Sequence, residues 1–200
     1  MKMNQNKLGM PAHDRRGRWF RPVCLCLLLA LCVSFLPACG NGVNKDLPDL
    51  PEGANGYVQE NMTICLPTAF YAFESGNAKN LLAFTDGYAV VYLRKQVAAD
   101  TGTSDTYFRS LDAAGYGELY CDLAGIENYE QYLGHTANSA AYFYVVEDPD
   151  PEQTLCMYLY FVEEEKADCF WLVECRYPAP YADYYTELFS TWDEYFRLKG

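Results

Sequence analysis

The sequence predicts an α+β domain, an antiparallel sheet sandwiched between helices, behind an exported N-terminus. Three observations carry that expectation. The runs 139–147 (SAAYFYVVE), 154–162 (TLCMYLYFV) and 169–177 (CFWLVECRY) follow one another through turn-forming DPDP and EEEK segments, which reads as consecutive hairpins. The runs are apolar on both parities: Tyr142, Tyr144 and Val146 on one side, Ala141, Phe143 and Val145 on the other. Such strands belong to a sheet covered on both faces. The closing segment 181–193 repeats Tyr181, Tyr185, Leu188 and Trp192 at helical spacing.

The chain begins with a targeting segment. Lys2, Lys7, Arg15, Arg16, Arg18 and Arg21 precede an uncharged run, 23–36 (VCLCLLLALCVSFL). Its 14 residues would extend ~21 Å as a helix, short of the ~20 residues that a membrane span needs. Leu36-Pro37-Ala38-Cys39 then reads as a bacterial lipobox. The expected organisation is a signal peptide over 1–38, a lipidated Cys39 with a flexible tether over 39–56, and one domain over 57–200. An ordinary signal cut near Ala38 and an uncleaved anchor are the competing readings. Met10 is an alternative start. Two or more acyl chains anchor a protein stably, so the membrane is an expected partner. The domain should stand on the extracytoplasmic face of the cell membrane. Residues 40–56 (GNGVNKDLPDLPEGANG) carry no strand or helix period and span roughly 20–25 Å as a coil.

After Ala38 the chain has nine Lys and Arg against 26 Asp and Glu, a net charge of −17. That charge repels nucleic acid and anionic lipid. All 18 tyrosines also lie there, which argues for a folded domain. Cys24, Cys26 and Cys32 belong to the signal, leaving Cys65, Cys121, Cys156, Cys169 and Cys175 in the domain. Five thiols allow at most two bridges. A hairpin centred on Glu165-Lys166 sets Phe161 opposite Phe170, Tyr160 opposite Trp171 and Cys156 opposite Cys175. Directly opposed residues have Cβ atoms ~4.5–5.5 Å apart, near disulfide range. A Cys156–Cys175 bridge and buried free thiols both remain open.

The remaining elements follow in order. Residues 62–66 (MTICL) read as a strand ended by Pro67. Residues 81–85 and 88–95 read as a hairpin through a tight Asp86-Gly87 turn. Residues 104–114 read as a helix capped by Ser104 or Asp105 and stopped by Gly115. Residues 120–123 read as an edge piece. Residues 126–133 (IENYEQYL) read as a second helix stopped by Gly134. Residues 195–198 close the chain as a short extended piece.

Four stretches resemble the PsbP-like domain: Ile64-Cys65-Leu66-Pro67, the acidic DG hairpin, Asp168 to Cys175 (DCFWLVEC), and Leu188 to Trp192 (LFSTW). The resemblance covers about residues 57–198. The family includes extrinsic proteins of photosystem II, a Ran-binding protein and many small bacterial lipoproteins. It implies an antiparallel sheet between helices. It has no shared catalytic motif, so it transfers no functional residue, and nothing here supports a role in photosynthesis.

Motifs for chemistry are sparse. His135 is the only histidine after Ala38, which excludes multi-histidine metal sites. It sits where a helix should stop, a favourable place for a cation. Asp148, Asp150 and Glu152 have the alternate spacing of a calcium loop, but Pro149 and Pro151 intervene and Leu159 stands at the twelfth position. No phosphate loop, nucleophile elbow or C-x-x-C occurs after Ala38, and no cofactor or metal is expected. Tyr181, Asp183 and Tyr184 form the candidate recognition patch, because aromatic rings beside carboxylates suit sugars, peptides or cations. Tyr129 and Tyr132 are further exposed candidates. The expected function is non-catalytic binding or an accessory role toward a protein, peptide or glycan. The alternative is a carboxylate-dependent hydrolase of cell-surface glycans, which needs two acids facing each other in a cleft.

Overall fold

The computed structural model describes residues 50–199. The signal segment, Cys39 and most of the tether lie outside the described residues. Strands β1 (Ala54–Gln59), β2 (Met62–Pro67) and β10 (Arg197–Leu198) form a three-stranded antiparallel sheet in the order β1-β2-β10. β1 begins three residues inside the segment read as tether. The main sheet is built from β3 (Tyr71–Ala72), β4 (Leu82–Thr85), β5 (Val90–Gln96), β6 (Glu130–Leu133), β7 (Ser139–Val146), β8 (Leu155–Glu164) and β9 (Cys169–Pro178). Its order is β3-β4-β5-β9-β8-β7-β6, and every neighbouring pair is antiparallel. Helices α1 (Ala98–Thr101), α2 (Asp105–Phe108) and α3 (Ala113–Ala124) lie between β5 and β6, and α4 (Ala182–Trp192) follows β9. Among the described residues, no helix is long and apolar enough to cross a membrane.

Both faces of the main sheet are covered, as the two-parity strands require. On the first face, Tyr158, Tyr160, Trp171, Val173 and Cys175 pack with Met62, Ile64 and Leu66 of β2 and with Tyr185 and Phe189 of α4. On the second face, Leu159, Phe161, Phe170 and Leu172 pack with Phe108 of α2 and Tyr116 and Cys121 of α3. The architecture is thus α+β with helices on both sides. The small sheet shares the first face with α4, an addition that the sequence did not announce. Its strands are joined across the whole chain, Met62 pairing with Leu198.

The β8–β9 register differs from the expected one by two residues. Tyr158 pairs with Cys175 and Cys156 with Tyr177. The turn moves one residue later: Glu165–Ala167 form a 3-10 turn, Asp168 takes a left-handed backbone (φ 48°), and Glu164 pairs with Cys169. Glu164 stays in the ladder because its carboxylate accepts the Trp171 indole N–H at 2.7 Å and the Asn61 amide. A shift of two preserves each side chain's face. Cys156 and Cys175 therefore share the first face but sit diagonally, and diagonal neighbours are ~7–8 Å apart. That exceeds the ~3.5–4.5 Å between Cβ atoms that a bridge needs. All five described cysteines are buried and free.

Other elements also differ. The β4–β5 connection is a four-residue loop, because Thr85 pairs with Val90. Ser104 caps a helix as expected, its hydroxyl accepting from the Tyr107 N–H, but that helix is only α2. Gly115 does not stop it; Gly115 lies in the first turn of α3, where its N–H reaches the Asp112 cap at 2.7 Å. Residues 120–123 are helical, within α3. Residues 130–133 are the edge strand β6, not a helix, because their backbone pairs with β7. On α4 the buried pair is Tyr185 and Phe189, whereas Tyr181 at the head of the expected stripe is exposed. The closing piece is a 3-10 turn, Asp193–Tyr195, followed by β10.

Gly117 explains why α3 carries a glycine in its centre. A Cβ there would meet the Tyr142 ring at 2.1 Å. That ring cannot retreat easily: it is fully buried, packs edge-on to Phe161, and donates its hydroxyl to the Ala114 carbonyl at 2.6 Å. A solvent-exposed glycine in a helix gains up to ~1 kcal/mol on change to alanine. Gly117→Ala instead costs about 3 kcal/mol, because α3 must lift from the sheet. Urea unfolding of the two proteins measures the difference.

Candidate functional site

The sequence-predicted patch lies at the start of α4, against the β4–β5 loop. Asp86 joins the two. Its Oδ1 accepts the N–H groups of Tyr88 and Ala89 at 3.0 and 2.8 Å, and its Oδ2 accepts the Tyr185 hydroxyl at 2.7 Å. Thr85 tightens the loop by accepting the Gly87 N–H and donating to the Ala89 carbonyl. Gly87 has φ 99°, a conformation that favours glycine. Burial, and then the bond to Asp86, raise the Tyr185 pKa far above its usual value, so its hydroxyl stays a donor.

This locked base presents three exposed rings. Tyr88 is 63% exposed, Tyr181 47% and Tyr184 62%. Tyr88 and Tyr181 meet edge to face at 5.2 Å, and Tyr184 meets Tyr185 at 4.9 Å. Asp183 is exposed between Tyr181 and Tyr184 in the chain. Edge-to-face pairs hold ring orientation. The arrangement can stack on a sugar or peptide, or receive a cation. Sequence reasoning found Tyr181, Asp183 and Tyr184 and missed Tyr88. The acidic DG turn that carries Tyr88 is the available signal, and locally it shows only a turn.

The other two candidate tyrosines separate. Tyr129 is half-buried against Tyr142 at 5.4 Å, and Tyr132 is exposed on β6. Asp148 and Asp150 each accept the backbone N–H two residues on, at 2.9 and 3.1 Å; this is a loop organised by its own turns.

His135 sits at a helix C-terminus, though not the expected one. Its Nε2 is 3.2 Å from the Ser190 carbonyl near the end of α4 and 2.7 Å from Asp193 Oδ1. Asp193 Oδ1 has the ion-pair distance without an aligned hydrogen bond, while Oδ2 accepts the buried Tyr158 hydroxyl. The contact ties the β6–β7 loop to the turn after α4. Burial raises the Asp193 pKa from the ordinary 3.8, against the opposing effects of the Tyr158 bond and the His135 charge. A carboxyl raised on folding stabilises most at acid pH, where it is protonated in both states. That contribution is lost as pH rises through the folded pKa. The stability of the wild type relative to Asp193→Asn should therefore fall as pH rises from about 4. Paired denaturation curves across acid pH check the sign.

A hollow of ≈ 270 Å³ beside α2 brings Glu163, Glu165 and Asp168 together over Phe108 and Phe170. Asp168 pairs with Arg109 at 2.9 Å. Burial, then the charges of Glu165 and Asp112, raise the Glu163 pKa. Elsewhere, Glu174 is buried on the second face between Arg94, at 2.8 Å, and Arg176. The described thiols are poor nucleophiles: burial foremost pushes Cys65 and Cys121 up to about 11 and Cys169 to about 12. Among the described residues, no group of three or more His, Cys, Asp and Glu is placed to hold a metal ion.

No family model matches the chain, and no curated protein matches it. Similar solved structures include the Ran-binding protein Mog1p of Saccharomyces cerevisiae, at 11% identity and TM-score 0.45, covering 72% of this chain and 96% of that one. They also include the cyanobacterial PsbP of a Synechocystis species, at 11% identity and TM-score 0.49, covering 76% and 96%. The PsbP-like fold expected from the sequence is found among these neighbours. No role passes from them to this chain.

Proposed function

We propose that this protein is a membrane-tethered, extracytoplasmic lipoprotein whose domain binds a peptide, protein or glycan without catalysing a reaction. The observation that supports the binding half is the exposed Tyr88–Tyr181–Tyr184 surface, held in place by Asp86. Large apolar rings clustered and exposed mark interaction surfaces, and tyrosine carries much contact area at small entropic cost. The tether half rests on the lipobox in the sequence. Radioactive palmitate should label the protein in cells, and Cys39→Ala should abolish the label. Unchanged labelling of the variant overturns the tether.

A second reading, hydrolysis of cell-surface glycans, is favoured by the hollow at Glu163. A carboxyl of raised pKa beside a second acid is the arrangement of a general acid and its partner. Release of reducing ends from purified peptidoglycan, lost in Glu163→Gln, would support it. No release by the wild type removes it.

A further inference from the structure

The main sheet has an interrupted edge. β6 is the outermost strand, and it pairs with β7 only from Leu133↔Ala140 to Glu130↔Phe143. β7 continues to Val146, so its last residues have β8 on one side and, among the described residues, no strand on the other. The direction of their backbone groups follows from two bonds. The Gly134 N–H donates to the Ser139 carbonyl on the β6 side, and the Glu163 N–H donates to the Asn138 carbonyl on the β8 side. Successive residues of an antiparallel strand point their N–H and C=O to opposite edges. Residues 139, 141, 143 and 145 therefore face β6, and the even residues face β8. Phe143 is satisfied by Glu130. Among the described residues Val145 has no strand partner on that side, and Glu147 is next in the same sense.

Space is present where the partner would lie. Residues 127–129, ahead of β6, make no pairing with β7, and with Glu130 and residues 143–145 and 147 they line a groove of ≈ 620 Å³. Val145, which lines the groove, is 44% exposed. Glu127, Glu130 and Glu147 line the groove, and no Lys or Arg does. An open strand edge is a template for another strand; three carboxylates around it set the sign of what is attracted.

The geometry points to a second binding site, at which an extended basic peptide adds as a strand to the edge of β7 at residues 144–147. Main-chain bonds to Val145 and Glu147 give the affinity, and lysine or arginine side chains beside Glu127, Glu130 and Glu147 give the selectivity. This site is independent of the tyrosine surface.

The test uses hydrogen–deuterium exchange on the full-length protein in detergent micelles. The probe is a capped Lys-Val-Lys-Val-Lys-Val peptide. Its controls are the Glu-Val counterpart and a Lys-Val peptide with proline at its third position. The basic peptide should slow exchange in residues 143–148 at least tenfold, with the effect weakening as salt rises. Neither control should do so. Val145→Pro, which removes the outward N–H at an edge where proline is tolerated, should abolish the protection. Should that variant fail to fold, Glu127→Lys with Glu147→Lys serves instead, and should transfer the protection to the Glu-Val peptide. Absence of protection at millimolar basic peptide overturns the site. So does equal protection by the proline-bearing peptide, since that would be charge attraction alone. Protection that grows with protein concentration without peptide also overturns it, naming a second copy of the chain as the occupant.

Discussion

Trp171→Ala is expected to lower the unfolding free energy by about 4 kcal/mol, the range for emptying a large aromatic site. Trp171 is fully buried in the first-face core, on the central strand β9. It also organises polar groups at its rim. Its indole N–H donates to Glu164 at 2.7 Å, and Lys95 Nζ lies 5.2 Å over the ring while pairing with Glu60 at 2.6 Å. Hydrogen bonds from Trp171, Asn61 and Cys169, with the charge of Lys95, outweigh burial and lower the Glu164 pKa. Removing the indole thus opens a cavity and takes a donor from a carboxylate. Trp171→Phe keeps most of the volume and loses only the donor, so it should cost about 1–2 kcal/mol. Chemical denaturation of both variants separates the packing loss from the hydrogen-bond loss.

Glu174→Ala comes next, at about 3–5 kcal/mol, the cost of leaving a buried charge partner alone. Glu174 is 1% exposed and holds two guanidinium groups. Arg94 is additionally fixed by Asn80 at 2.6 Å, and Arg176 stacks over Tyr92 at 5.2 Å from the ring centre. Without the carboxylate the largely buried Arg94 loses its counter-charge and faces the half-exposed Arg176 across the sheet surface. Glu174→Ala with Arg176→Ala should recover part of the loss, because one of the two orphaned charges goes with it. Denaturation of the single and double variants gives the coupling directly. Additive losses would contradict the pairing.

The strands β7, β8 and β9 were legible because a strand buried on both faces must be apolar at every position, and these three are. Their register was not legible. It depends on whether Glu164 joins the turn or the ladder, and that is decided by Trp171 and by Asn61, which lies 103 residues away. α4 was visible from helical spacing, but Tyr181 and Trp192 fit the stripe as well as Phe189 did, so its buried centre was misplaced. α3 was hidden by its two glycines. Gly115 reads locally as a stop, whereas Asp112 makes it part of a capped first turn; Gly117 is small because Tyr142 occupies the space. β6 has helix-compatible spacing and becomes a strand only through pairing with β7. The site shows the same division. Tyr181, Asp183 and Tyr184 are neighbours in sequence and were found together. Tyr88 joins them through the fold, by way of Asp86 and Tyr185, and no local pattern links those positions.

The measurement that tests the account most directly is ligand binding by the Tyr181→Ala/Tyr184→Ala double variant, read beside its melting temperature. Wild type and variant are titrated with soluble peptidoglycan fragments, neutral oligosaccharides and unstructured peptides. Both side chains are exposed and each makes one edge-to-face ring contact, worth about 0.5–1.5 kcal/mol, so the variant should stay folded with a melting temperature lower by only several degrees. Affinity for whichever class the wild type binds should fall at least tenfold. Undiminished binding by the folded variant would contradict the assignment of this surface as the recognition site.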